Sequence, residues 1–153
     1  MTTTTVVERR VAASPGRVWE SITDLPALPR VLSGVQRVEV LSEGVFDVGT
    51  RWRETRRMLG REATEEMTVT ECEPPDRYVT VADSHGVRYV SELSLRADGP
   101  GASVLRMTFS ARPAHGRVPG LLTRALARVG TKAVSRMLAK DLDDIARAVE
   151  SRY

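Results

Sequence analysis

VPGLLTRALARVGTKAVSRMLAKDLDDIARAVE, residues 118–150, has apolar side chains returning at three- and four-residue steps. Leu122, Leu126, Val129, Ala133, Met137, Ile145 and Val149 fall along one stripe, with Leu142 filling the gap. Arg124, Arg128, Arg136, Lys140, Asp143, Asp144 and Arg147 fall on the other side. This is the period of an amphipathic helix, about 30 residues and ~45 Å long at 1.5 Å per residue. Such a stripe needs a broad apolar surface to lie on, and the residues before it must supply one.

Residues 35–112 read as strand and turn. Expected strands are Val35–Leu41, Thr50–Met58, Arg61–Cys72, Tyr78–Ser84, Val87–Arg96 and Ser103–Arg112. Gly49, Leu59-Gly60, Pro74-Pro75, His85-Gly86 and Asp98-Gly99-Pro100-Gly101 separate them. Connections this short predict an antiparallel meander. Ahead of it, Thr4–Ala13 alternates like a strand through Val7 and Val11. Ser14-Pro15 then opens a helix, serine serving as a cap and proline standing where a missing N–H does no harm. Val18, Trp19 and Ile22 form its apolar side, Leu25-Pro26-Ala27-Leu28-Pro29 breaks it, and Arg30–Leu32 makes a second short turn. The expected architecture is α+β. A curved antiparallel sheet wraps a long C-terminal helix, with two short helices after the first strand, and residues 1–153 form one domain.

Composition narrows the function. With 41% hydrophobic and 28% charged residues the chain is an ordinary globular sequence, and a net charge of +3 is too small to imply nucleic-acid binding. The run Arg51, Arg53, Arg56, Arg57 and Arg61 around Trp52 reads as a solvated strand face, not a nucleic-acid surface. Cys72 is the single cysteine, and His85 and His115 stand apart beside glycines, so no metal site and no cofactor is expected. No stretch approaches the ~20 apolar residues of a membrane span, and no signal-peptide pattern opens the chain, which predicts a cytoplasmic protein.

The hairpin at Leu59-Gly60 carries the strongest chemical signal. A two-residue turn there sets Arg57 opposite Glu62 and Arg53 opposite Glu66 on a wet face, and Trp52 opposite Met67 on a dry one. The same register sets Glu54 opposite Glu65 on the dry face, with Arg56 one step nearer the turn. Two opposed, half-buried carboxylates repel unless Arg56 bridges them. The cluster is either a polar anchor for a ligand, an acid/base pair, or an internal salt-bridge cluster. Tyr89, Ser91 and Leu93 alternate on one strand and Leu105, Met107 and Phe109 on another, while the inward face of Tyr78–Asp83 stays open.

Taken in order, several motifs resemble a known family. These are a strand, Ser14-Pro15-Gly16-Arg17-Val18-Trp19, Thr23-Asp24 with its Leu-Pro segment, Val48-Gly49-Thr50-Arg51-Trp52, Glu73-Pro74-Pro75 and the long last helix. Over essentially its whole length the chain is similar to START-like (SRPBCC) proteins, in particular the bacterial polyketide cyclase/dehydrase and lipid-transport branch. The resemblance implies the helix-grip fold, with a cavity between sheet and helix. It also implies an apolar or amphipathic ligand such as a lipid, polyketide or aromatic metabolite. A cyclase or dehydratase acting on a ketone-rich substrate, and a protein-interaction module, are the alternatives. The expected lining is Trp52, Glu54, Arg56, Glu65, Met67, Tyr89, Phe109, Ala133 and Met137, around a space of roughly 300–1,000 Å³.

Overall fold

The structure, a computed structural model, describes residues 3–58, 60–113 and 120–151. The side chains of Met58 and of residues 120–131 fall outside that description, and with them the expected stripe positions Leu122, Leu126 and Val129. Strand β1 (Thr3–Val11) leads into helix α1 (Pro15–Thr23), a 3-10 turn (Leu25–Ala27) and helix α2 (Leu28–Val31). Strands β2 (Val35–Val40), β3 (Arg51–Met58), β4 (Arg61–Glu73), β5 (Arg77–Ser84), β6 (Val87–Ala97) and β7 (Ser103–Pro113) follow, and α3 (Gly120–Glu150) ends the chain.

The strands form one antiparallel sheet in the order β1-β7-β6-β5-β4-β3-β2. Strands β2 to β7 are the expected meander. β1 joins it at the β7 edge, so the two short helices carry the chain across to the far edge where β2 begins. Register shifts between Val35 and Arg37 and between Val69 and Glu71 each insert an extra residue. Such bulges bend and twist a strand, and here they help curl the sheet around α3. The β5–β6 turn uses His85 at φ 50° and Gly86 at φ 76°, the two left-handed residues that a tight hairpin needs.

Ser14 departs from the expected cap. Its side chain makes no capping bond, and its carbonyl instead accepts from Arg17 N and Val18 N at 3.1 and 3.2 Å. The core lies between the concave sheet face and α3, with Val11, Val18, Val69, Leu105 and Leu142 almost wholly buried. Phe46, from the β2–β3 loop, packs among Trp19, Trp52 and Tyr78, its ring 4.8 Å from that of Tyr78.

Along the described half of α3 the buried stripe is Leu138, Asp141, Leu142, Ile145, Ala146 and Val149. Ala133, expected on this stripe and in the cavity lining, is exposed. Each four-residue step overshoots a 3.6-residue turn, so stepping back from Ile145 through Asp141 to Met137 and Ala133 drifts off the packed face. Asp144, expected on the outer face, is buried as well. Ser33, in the turn between α2 and β2, donates to Asp144 Oδ2 from its backbone N at 2.9 Å and its hydroxyl at 2.8 Å. Further ties hold the helix to the first strand: Arg9 pairs with Asp143, and Ala12 N donates to Glu150 Oε2 at 2.9 Å. No helix among the described residues is long and apolar enough to cross a membrane.

Candidate functional site

The β3–β4 ladder has the expected register, with Trp52 opposite Met67, Glu54 opposite Glu65 and Arg57 opposite Glu62. On the wet face the ion pairs run diagonally or to the next strand instead of straight across: Arg51 pairs with Glu66, and Arg53 with Glu39 of β2. Alternation then carries Trp52, Glu54 and Arg56 to the concave side.

There Arg56 meets a partner from the other end of the chain. Its Nη1 and Nη2 donate to Asp141 Oδ1 and Oδ2 at 3.2 and 2.8 Å, a two-pronged pair, while Nε donates to Glu54 Oε2 at 2.9 Å. The Trp52 indole N–H reaches Glu54 Oε1 at 3.5 Å. These side chains retain only 17% (Arg56), 12% (Glu54) and 6% (Asp141) of their exposure, so the network lies inside the protein. Burial by itself weakens the Arg56 proton, but the Asp141 and Glu54 charges outweigh it and hold the guanidinium even more firmly protonated than usual. Asp141 is raised too, which for an acid is a shift toward the neutral form. Burial pushes its carboxyl up, Arg56 opposes this, and the Glu54 and Asp144 charges add to the rise.

The network forms one wall of a cavity of about 130 Å³ between sheet and helix. Ile22, Leu28 and Leu32 close it from the short helices, Met67, Tyr78, Leu93, Met107 and Phe109 from the sheet, and Met137, Leu138 and Ile145 from α3. Ser91 adds a hydroxyl. The space is smaller than the expected 300–1,000 Å³, because long side chains such as Trp52, Met67 and Met107 project into it. Tyr78, Thr80 and Ala82 are the inward residues of β5, paired with Leu93, Ser91 and Tyr89. The Tyr78 hydroxyl donates to Ile22 O at 3.5 Å, and burial first, with the Glu54 charge behind it, keeps the phenol protonated.

Of the expected lining residues, Trp52, Glu54, Arg56, Met67, Phe109 and Met137 border this cavity, whereas Glu65, Tyr89 and Ala133 do not. Tyr89 is half-buried and stacks on Phe109 at 5.7 Å; burial, then the nearby Glu65 charge, raises its phenol. Glu65 and Tyr89 thus form a second polar position on the same concave face. Asp141 escaped the sequence reading, although its place between Met137 and Ile145 in four-residue steps marks an acid inside the apolar stripe. Phe46 left no periodic signal, since it lies in a loop. Among the described residues no group of three or more His, Cys, Asp or Glu gathers to hold a metal.

Comparison with known proteins agrees with this architecture. The sequence profile of the family described as polyketide cyclase / dehydrase and lipid transport matches residues 2–150. Among solved structures, the ZhuI aromatase/cyclase from Streptomyces sp. R1128 superposes with a TM-score of 0.81 at 19% identity, covering 99% of this chain and 96% of that one. Norcoclaurine synthase from Thalictrum flavum, in complex with dopamine and hydroxybenzaldehyde, gives 0.76 at 18% identity over 100% and 89%. Ara h 8.0201 gives 0.71 at 15% over 99% and 100%. At such identities the likeness is one of fold. No curated sequence matches the chain significantly. With its profile match running from one end to the other, the chain belongs to the polyketide cyclase / dehydrase and lipid transport family, a branch of the START-like (SRPBCC) proteins with the helix-grip fold.

Proposed function

We propose that residues 1–153 act as one helix-grip domain that binds a small amphipathic molecule in the cavity between sheet and α3. Its apolar body lies against Met67, Met107, Phe109 and Met137, and its polar end against Glu54, Arg56 and Asp141. The observation that carries this reading is the charged network itself. A buried ion network adds little to stability over apolar packing of the same volume, and a cavity left beside one is a further cost. Both make sense where a ligand's polar group completes the network. Glu65 and Tyr89 offer a second polar contact for a longer ligand.

Native mass spectrometry of the purified chain, followed by ¹⁵N NMR titration with whatever co-purifies, tests the proposal. Expected are shifts at Trp52, Ser91, Met107 and Phe109, and their loss when Met107→Trp fills the space. If neither co-purified nor added amphipathic molecules move these signals, the proposal fails.

A second reading is favoured by the raised Asp141 carboxyl next to Arg56. A carboxyl shifted toward neutrality can exchange a proton with a bound ketone while a guanidinium steadies the oxygen, as cyclisation or dehydration would require. Under this reading a poly-β-ketone analogue yields an aromatic product by absorbance, and Asp141→Asn abolishes the reaction while the analogue still binds. Binding without any turnover leaves the first reading alone.

A further inference from the structure

The polar wall of the cavity is out of balance. Among the described lining residues Arg56 is the single cation, and it faces two carboxylates, Glu54 and Asp141. Of the five guanidinium N–H donors, three are already given to those carboxylates. Gly34 lies beside Nη1, since a Cβ added there would come within 3.3 Å of it, so the approach from that side is narrow. Little of Arg56 is left for a ligand anion. Acceptors, by contrast, are in surplus: Glu54 Oε1 has only the long 3.5 Å contact from Trp52, and a carboxylate oxygen takes about two hydrogen bonds. Glu65, opposite Glu54 across the ladder, adds another negative charge to the concave face and joins no ion pair among the described residues. The upward push on Asp141, from burial first and then from Glu54 and Asp144 against the pull of Arg56, fits the same excess.

We infer that the cavity selects molecules offering it a positive charge or a hydrogen-bond donor, single-ring arylalkyl amines first and neutral alcohols or phenols second, and rejects carboxylates and phosphates. The inference rests on the binding reading above and names the ligand class for it. Size agrees with chemistry, because the space of about 130 Å³ is close to the ~150 Å³ apolar cavity that accepts benzene. An amine placed there donates to Glu54 and brings the wall to neutrality. A carboxylate placed there adds a third negative charge beside one already committed guanidinium, in a medium that screens poorly.

The test is an ¹⁵N NMR titration of the full chain at neutral pH with benzylamine, benzyl alcohol and benzoate, which share a ring and differ in the polar end. Benzylamine is expected to bind at least about tenfold more tightly than benzoate, with the alcohol between them. Glu54→Gln should shrink the amine-to-benzoate ratio to within about threefold. Should that variant fail to fold, Glu65→Gln must lower the ratio in the same direction. Benzoate binding as tightly as benzylamine, or a ratio that neither variant moves, overturns the inference while binding stands. If none of the three shifts cavity signals up to its solubility limit, the binding reading falls and takes this inference with it.

Discussion

Arg56 holds two acids at once, so the two halves of its network should respond very differently to removal. Arg56→Met deletes the cation and leaves Glu54 and Asp141 facing each other inside the protein. Asp141→Leu deletes one acid and leaves Arg56 its 2.9 Å bond to Glu54. At the separation of a two-pronged pair, about 4 Å between charge centres, attraction is ~4 kcal/mol at an effective dielectric of about 20. Desolvation of each ion is of similar size, so the intact network is nearly neutral for stability, whereas a stranded charge is not. Arg56→Met should therefore cost ~4–5 kcal/mol, near the top of the range for breaking a buried pair, and Asp141→Leu ~2–3. The double variant should cost clearly less than the sum, by ~1–3 kcal/mol, the mark of two residues in contact. Urea denaturation reads this directly. With a slope of about 2 kcal/mol per molar, Arg56→Met shifts the midpoint down by roughly 2 M and Asp141→Leu by about half as much. Arg56→Lys keeps the charge but loses the fork, and should fall between wild type and Arg56→Met. Two single variants within ~1 kcal/mol of wild type and strictly additive would refute the reasoning, since the network would then be solvated.

Leu142→Ala, at a position 1% exposed beneath α3, should cost ~2–5 kcal/mol with an unchanged urea slope. Ser33→Ala removes one of the two donors to Asp144 and should cost ~1–2 kcal/mol; Asp144→Ala strands the Ser33 N–H and should cost more. Because the folded Asp141 carboxyl is raised, the native state binds that proton more tightly than the unfolded chain does. Its contribution to stability is therefore present below the unfolded value of ~3.9 and lost as pH rises through the raised folded value. Urea midpoints measured across that interval should show this downward slope in wild type relative to Asp141→Asn; parallel profiles would exclude it.

Short-range chemistry made much of the molecule legible before any coordinates. The period of residues 118–150, the breaks at Pro74-Pro75, His85-Gly86 and Asp98-Gly99-Pro100-Gly101, and the Ser14-Pro15 helix start are local signals, and each element they mark is present. The β3–β4 register was legible too, because a one-residue slip would have turned Trp52 and Met67 to water and the paired charges inward. What a period cannot carry is the choice among residues far apart in the chain. β1 pairs with β7 although five strands intervene in the chain, and nothing in the alternation of Thr3–Val11 names that neighbour. Nor does a helical wheel say that Ser33 binds Asp144, or that the packed stripe takes in Asp141 and leaves out Ala133. The sequence by itself therefore determined the helix-grip architecture and half of the polar cluster, Glu54 and Arg56 on one face. Only the tertiary structure brought Asp141 to Arg56 across 85 residues and showed the guanidinium already committed to carboxylates, because ion pairs form by position in space and leave no trace in local spacing.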